Sequence, residues 1–349
     1  MSEGREVVDA VVRLAADRGG VPSGDVVARP TSSGALIAVA GEVVVKLHRV
    51  GTDQRTLAAR VRLFGDPAWQ DCLLVPVDLD LVVLSVEADD DGAPVDPAWS
   101  GSGSGSGSGL GAGAAPRLAS VWPLVETVAR DPDGVPWARA GELLARLHSR
   151  PLPEGAGLPP HGAVSRLKRA LAGLAAAAAG RVAASAPSPD HAAARAVIER
   201  AAASLPAEAW EPSPRGRPVT VVHGDWHLGQ MGRLARDGGR EADAWRLIDA
   251  DDLGLGDPAW DFARPAALMA AGILPATEWQ TLLDAYRAAG GPALPPAPAE
   301  PWPALDAVAR AGVVQGAAAV VRRAIEQARP LDDVDESLVD LCGALAGPS

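Results

Sequence analysis

Apolar residues recur along this chain with two periods, and the change between them divides it. Residues 4–18 carry Val8, Val11, Val12 and Ala15 at helical spacing, an amphipathic opening helix. The run TSSGALIAVAGEVVVKLHRV then reads as strand, turn at Gly41, strand. Residues 52–64 place Leu57, Val61 and Phe64 on one helical stripe. CLLVPVDLDLVVLSVE at 72–87 predicts paired sheet strands, and RLASVWPLVETV from Arg117 predicts another strand. From Pro136 the pattern turns helical, with Ala140, Leu143, Leu144 and Leu147 at i, i+3, i+4 and i+7. Residues 163–204 predict two Ala-rich helices broken by Pro187 and Pro189. Near the end, Trp279, Leu282, Leu283 and Tyr286 form a stripe behind a Thr277 to Gln280 capping box, and helices follow at 305–328 and 338–345. Within this helical part, 219–222 reads as a buried strand. The apolar runs 231–234 and 245–248 flank Asp237, Gly238 and Gly239, which predicts a β-hairpin.

At 349 residues the chain can bury a large core, as one two-lobed unit or two domains. A formal charge of −12 and a pI near 5.0 argue against nucleic acid as the main partner. No apolar run reaches the roughly 18 residues a membrane span needs, and the acidic opening MSEGREVVDA lacks the apolar segment of a signal peptide. The expectation is a cytoplasmic protein with no membrane partner. Cys72 and Cys342 lie far apart without CxxC spacing, which suits neither a disulfide framework nor a zinc knuckle. Residues 89–116, with their GSGSGSGSG run, cannot build a core and read as a flexible Gly/Ser-rich insertion.

The chemistry is concentrated in 219–262, which opens VTVVHGDWHLGQ and closes WRLIDADDLGLGDPAWDF. Pairing the two hairpin runs around their Asp-Gly turn places Gln230 and Asp249 opposite each other at the open end. An amide oxygen and a carboxylate then converge a few residues from Asp225. Mg2+ takes such oxygen ligands, keeps several waters and is usually completed by substrate phosphates. Asp225 lies outside that pair, free to receive a proton.

HGDWHLGQ resembles the catalytic loop of kinase-like phosphotransferases, where a His, a base Asp and a metal-binding Asn recur as HxDxxxxN. Ile248, Asp249, Gly256, Asp257, Pro258, Asp261 and Ala263 follow as IDxxxxxxGDPxxDxA. Together the two halves are similar to the aminoglycoside phosphotransferase family, which also takes in choline, homoserine and fructosamine kinases. The resemblance implies an α+β, two-lobed, protein-kinase-like fold: a nucleotide-binding lobe with a small antiparallel sheet at 1–121, and a larger, mainly helical catalytic and substrate lobe at 122–349. It implies transfer of the γ-phosphoryl group of ATP or GTP, with Mg2+, to a hydroxyl of a small-molecule acceptor. Asp225 takes the place of the base. His227 stands where protein kinases carry Lys and would hydrogen-bond the γ-phosphate, and Gln230, Asp249 and Asp251 would hold the metal. Lys46, ending a VVVK strand, matches the lysine that holds nucleotide phosphates, and Ser32, Ser33 and Gly34 the phosphate-covering loop. Trp122 and Leu124 fall where the family joins its lobes and offers backbone to the base edge. His223, Asp257 and Asp261 are implied to be structural. The chain departs twice from the pattern. Gln230 stands in the Asn position, and no Glu occurs between Lys46 and Glu87 to pair with the strand lysine, Asp53 being the nearest acid in the helix.

Two other readings compete. The departures suit a pseudokinase that binds nucleotide without transfer, against which the joint presence of Lys46, Asp225 and Asp249 speaks. His223, Asp225 and His227 alternate as HxDxH, which suits a metal-dependent hydrolase, but only four other His exist and none lies in an acid-rich cluster. Of these, His148 is expected beside the core, and His161 and His191 at the surface. Asp252 is expected to be solvated. Glu278, Asp284 and Asp306 read as solvated helix faces rather than as a site for a cationic acceptor.

Overall fold

The computed structural model describes residues 2–31, 34–84, 117–128, 135–152, 155–180, 188–234 and 245–346. These fall into two compact units, Met1–Glu126 with Gly232–Arg246, and Thr127–Met231 with Leu247–Ser349. The predicted insertion at 89–116 and the hairpin turn at Asp237, Gly238 and Gly239 lie outside the described residues.

The first unit opens with helix α1 (Ser2–Gly19), followed by β1 (Val27–Pro30), β2 (Leu36–Ala40), β3 (Val43–Leu47), α2 (Gln54–Gly65), β4 (Val82–Leu84) and β5 (Arg117–Pro123). The strands form one antiparallel sheet in the order β1-β2-β3-β5-β4. The β2–β3 turn sits at Gly41, whose φ of +55° is open to glycine without the Cβ penalty. Val11, Leu14 and Ala15 of α1 join Ala38, Val45, Leu47, Ala119 and Val121 in a buried cluster, so the periodic stripe of the first helix covers one sheet face. On α2, Phe64 meets Trp122 of β5 edge-on, ring centroids 5.2 Å apart. Of the strands predicted at 72–87, only β4 forms among the described residues. The turn held by Cys72 N–H to the Trp69 carbonyl occupies the start, and Pro76, lacking an N–H, interrupts the run.

The chain leaves this unit through β6 (Val125–Thr127). The second unit is mainly helical: α3 (Trp137–Ser149), α4 (Ala163–Ala178), α5 (Pro189–Ala203), α6 (Ala263–Ala270), α7 (Ala276–Ala288), α8 (Trp302–Glu326) and α9 (Asp333–Ala346). Helix α3 packs on α7, and α8 lies against α4, α5, α6 and α9. By length and apolarity α8 resembles a membrane span, longer than any run the sequence reading picked out. Its apolar character is accounted for by this packing: Leu305, Val308, Val313, Val314, Val321 and Ile325 are all buried. Ser188 caps α5, with Pro189 in its first turn, as the helix break predicts. The capping box expected at Thr277 does not form, because α7 already begins at Ala276 behind Pro275 and Thr277 lies inside it.

A short ribbon inserts into these helices. Strand β7 (Thr220–Val222) pairs antiparallel with β10 (Gly254–Gly256) in the register Gly254 to Val222. Between them in sequence come β8 (Met231–Leu234) and β9 (Arg246–Leu247), which form a sheet in the order β6-β8-β9.

Candidate active site

The segment from His223 to Gln230 leaves β7 and is fastened from below. Asp261, fully buried, accepts from the backbone N–H of His223 and of Gly224, both at 2.8 Å. His148 Nε2 meets the same carboxylate at 2.9 Å, and His148 Nδ1 meets the Tyr286 hydroxyl at 2.9 Å. Burial alone would raise the Asp261 carboxyl, but the hydrogen bond and charge of His148, joined by His223, carry it below its ordinary value. Gly224 has a φ of +79°, and a Cβ there would stand 2.3 Å from the Asp252 carbonyl. The chain can therefore pass through this point only as glycine. The structural roles expected of His148, His223 and Asp261 are the ones their contacts describe. His223 Nε2 donates to the Ile248 carbonyl at 2.8 Å, leaving Nδ1 facing the Asp225 amide.

Asp225 itself sits above this floor. Its Oδ1 lies 2.7 Å from Arg166 Nη2 and 3.6 Å from Arg264 Nη2. Burial lifts its carboxyl above the ordinary range by more than the two guanidinium groups draw it down. The other arm of Arg166 reaches Asp252 at 3.0 Å, and Arg169 approaches the same carboxylate at 3.5 Å. Asp252 is thus buried and paired, contrary to the solvated position expected of it. One residue beyond Asp225, the buried Trp226 indole N–H has no hydrogen-bond partner among the described residues.

His227 turns its ring back on its own loop. Nδ1 accepts from the Gly229 amide at 3.0 Å, which leaves the proton on Nε2. Burial first, then the positive charge of Arg264 and other neighbours, lowers its pKa to about 3, so the imidazole is neutral at physiological pH. With His223 and His227 committed in this way, the alternating HxDxH residues do not converge as ligands. Among the described residues no group of three or more His, Cys, Asp or Glu could hold a metal by itself.

At the loop's far end Gln230 Nε2 donates to Asp249 Oδ2 at 3.4 Å, and Ile248 N–H donates to the Gln230 carbonyl. The structure therefore brings together the amide and carboxylate that the hairpin pattern placed opposite each other. Asp249 holds a φ of +73°, in the left-handed region that non-glycine residues rarely adopt. Its Oδ1 accepts from the Asp251 amide at 3.1 Å, a local turn that fixes the carboxylate. Asp249 and Gln230 offer two oxygens once the Gln230 amide presents Oε1 instead of Nε2, and Asp251 meets them through its backbone N–H. Such a pair suits a hard cation that arrives with phosphate ligands.

The remaining predicted site residues belong to the first unit. Lys46 is buried in β3, opposite Ile37 and Ser120. Gly34 has a φ of +83°, while Ser32 and Ser33 lie outside the described residues. Trp122 is buried and donates to Ser120 Oγ. The Leu124 N–H donates to the Glu42 carbonyl at 2.7 Å, which leaves only its carbonyl for a base edge. Helix α2 contains no acid, and Asp53 is its N-cap, accepting from the Thr56 amide.

Other corrections concern histidines and arginines. His161 and His191, expected at the surface, are buried: His161 meets the Pro212 carbonyl and accepts from Ala163 N–H, and His191 meets the Arg329 carbonyl. Asp257 caps the turn at Pro258 as expected and also pairs with Arg217 at 2.7 Å. Arg166 and Arg264 were missed, since neither belongs to a motif. Arg264 directly follows the Ala263 that closes the matched pattern, the one signal that pointed its way.

The architecture has solved counterparts. The microcompartment-associated aminopropanol kinase aligns over 97% of this chain and 95% of its own, at 15% identity and a TM-score of 0.51. The AMP-bound spectinomycin phosphotransferase aligns over 91% and 92%, at 13% identity and a TM-score of 0.50. A choline/ethanolamine kinase family protein from Mesorhizobium loti aligns over 96% and 94%, at 16% identity and a TM-score of 0.47. At such identities the likeness establishes the fold, which is protein-kinase-like. No curated protein sequence gives a significant match. A family model does, across residues 92–302, the stretch that holds the whole site around Asp225, and the chain belongs to the phosphotransferase enzyme family.

Proposed function

We propose that the protein transfers the γ-phosphoryl group of a nucleoside triphosphate, ATP or GTP, to a hydroxyl of a small molecule. The observation that carries this reading is the loop that holds Asp225 at one end and seats Gln230 against Asp249 at the other. The acceptor oxygen attacks the γ-phosphorus, its proton passes to the Asp225 carboxylate, and the bond to the β-phosphate oxygen breaks to release the diphosphate. The raised pKa of Asp225 makes it a better proton acceptor than an ordinary aspartate, while leaving a carboxylate for the two arginines to hold. His227, neutral at physiological pH and with Nε2–H available, offers the transferring group a hydrogen bond. Mg2+ bound with the nucleotide would be held by Asp249, Gln230 and Asp251 and would neutralise phosphate charge. Lys46 is assigned to the nucleotide phosphates.

One observation favours the pseudokinase reading: α2 offers no acid to orient Lys46. Purified protein, incubated with ATP or GTP and Mg2+, is screened for diphosphate release across sugars, amino alcohols, aminoglycosides and hydroxy acids. Turnover that disappears in Asp225→Asn supports transfer. Stabilisation by nucleotide with no turnover on any acceptor supports the pseudokinase instead.

A further inference from the structure

Resting on the phosphotransfer reading, the charges around Asp225 bear on what the acceptor is. Two arginines flank the base, each in the opening turn of a helix: Arg166 in α4 and Arg264 in α6. Neither helix carries an acid in its first turn. The positive end of a helix disfavours cations, so both placements run against the macrodipole and call for an offsetting negative partner. Arg166 has two, Asp225 at 2.7 Å and Asp252 at 3.0 Å. Among the described residues Arg264 pairs with Asp225 alone, at 3.6 Å, beyond hydrogen-bond distance. Its side chain is 41% exposed, with five N–H donors and no hydrogen bond to any described residue. The other nearby carboxylate, Asp252, is already held by Arg166 and Arg169. The acids that would suit a cationic acceptor are elsewhere: Asp284 accepts from Gln280 on the exposed face of α7, and Asp306 pairs with Arg310 on α8.

We infer that the acceptor carries an anionic group, a carboxylate or a phosphate, beside its reacting hydroxyl, and that Arg264 receives it. Arg166 stays paired with Asp225, while the planar fork of Arg264 turns to the acceptor's anion. An ammonium in the same place would meet two guanidinium groups, with Asp225 and Asp252 already paired to them and to Arg169. A bidentate contact of this kind is stronger and more directional than a point charge supplies.

The test uses acceptor sets that differ in charge while keeping shared hydroxyls, the 3- and 4-hydroxyls in glucuronate, glucose and glucosamine, and a vicinal diol in glycerate, glycerol and aminopropanediol. Each is assayed with the full chain, nucleotide and Mg2+. The expected result is a kcat/KM for the anionic member about tenfold or more above the neutral one, with the cationic member last. Arg264→Gln should raise KM for the anionic member several-fold more than for the neutral one, while any change in kcat through Asp225 is shared by all three members. Arg264→Lys should restore part of the preference. A merely structural arginine would change all three members alike, and that outcome overturns the inference, as does a preference for the cationic member. If Arg264→Gln does not fold, the wild-type ranking and its loss at high salt decide alone. No transfer to any acceptor overturns the phosphotransfer reading and this inference with it. Transfer with the wrong charge ranking overturns this inference only.

Discussion

Asp261 and Asp225 serve the 223–230 loop from opposite sides, and their surroundings differ at every point. Asp261 is fully buried and accepts from two backbone amides and His148, so its lone pairs are spent on protein. Asp225 is partly exposed, and its contacts are ion pairs to arginines that are themselves partly solvated. Burial acts on both carboxyls in the same direction. Two backbone amides and His148 together reverse it for Asp261, whereas one close guanidinium and a second at 3.6 Å do not for Asp225. One carboxylate is built to hold its charge and stay still, the other to give up its charge to a proton. The difference lies in the number and kind of donors, not in residue type.

The sharpest way to break the comparison is Asp225→Asn, which keeps shape and removes the proposed base. Turnover should fall by about 10²–10⁴-fold with little change in thermal unfolding, measured by diphosphate release alongside a melting curve. Unfolding on this substitution would make Asp225 another anchor. Asp261→Ala leaves a histidine and two amides without their acceptor and should cost about 3–5 kcal/mol of stability, read from denaturant unfolding. Asp261→Asn keeps one acceptor oxygen and should recover part of it. Tyr286→Phe probes the far end of the anchor, where the hydroxyl links His148 Nδ1 to the Ala293 amide. Its expected cost is about 1–3 kcal/mol, with catalysis changed only through the loop.

Titration separates the two aspartates in a further way. The folded pKa of Asp261 lies below its ordinary 3.8, so its stabilisation is complete above that value and is lost as pH falls through the folded one. The pKa of Asp225 lies above 3.8, so the acid limb of kcat/KM should appear above that pH and rise with pH as the base ionises. A limb at or below 3.8 would contradict the assignment. The smallest effect concerns His227. Its folded pKa of about 3 lies below its ordinary 6.5, so between those values the unfolded chain binds the proton and the folded one does not. Stability should therefore rise with pH across that window, and His227→Gln should make the rise shallower.

The sequence by itself determined what depends on near neighbours in the chain. Helical periodicity gave α1, α3 and the two Ala-rich helices, because side chains three and four apart share a face. The meeting of Gln230 with Asp249 was legible as well, because the two apolar runs beside them pair as neighbouring strands. Only the tertiary structure decided the charge around the base. Arg166 and Arg264 reach Asp225 from helices far from it in sequence, and nothing local marks a surface arginine as one that will turn inward. Burial of Asp252, His161 and His191 was hidden for the same reason, since a polar side chain goes inside only when distant groups satisfy it. The neutral state of His227 likewise arises from desolvation and from Arg264, both properties of the packed chain. A pattern in sequence records the backbone's short-range rules, whereas a field at a site is summed over groups that meet only after folding.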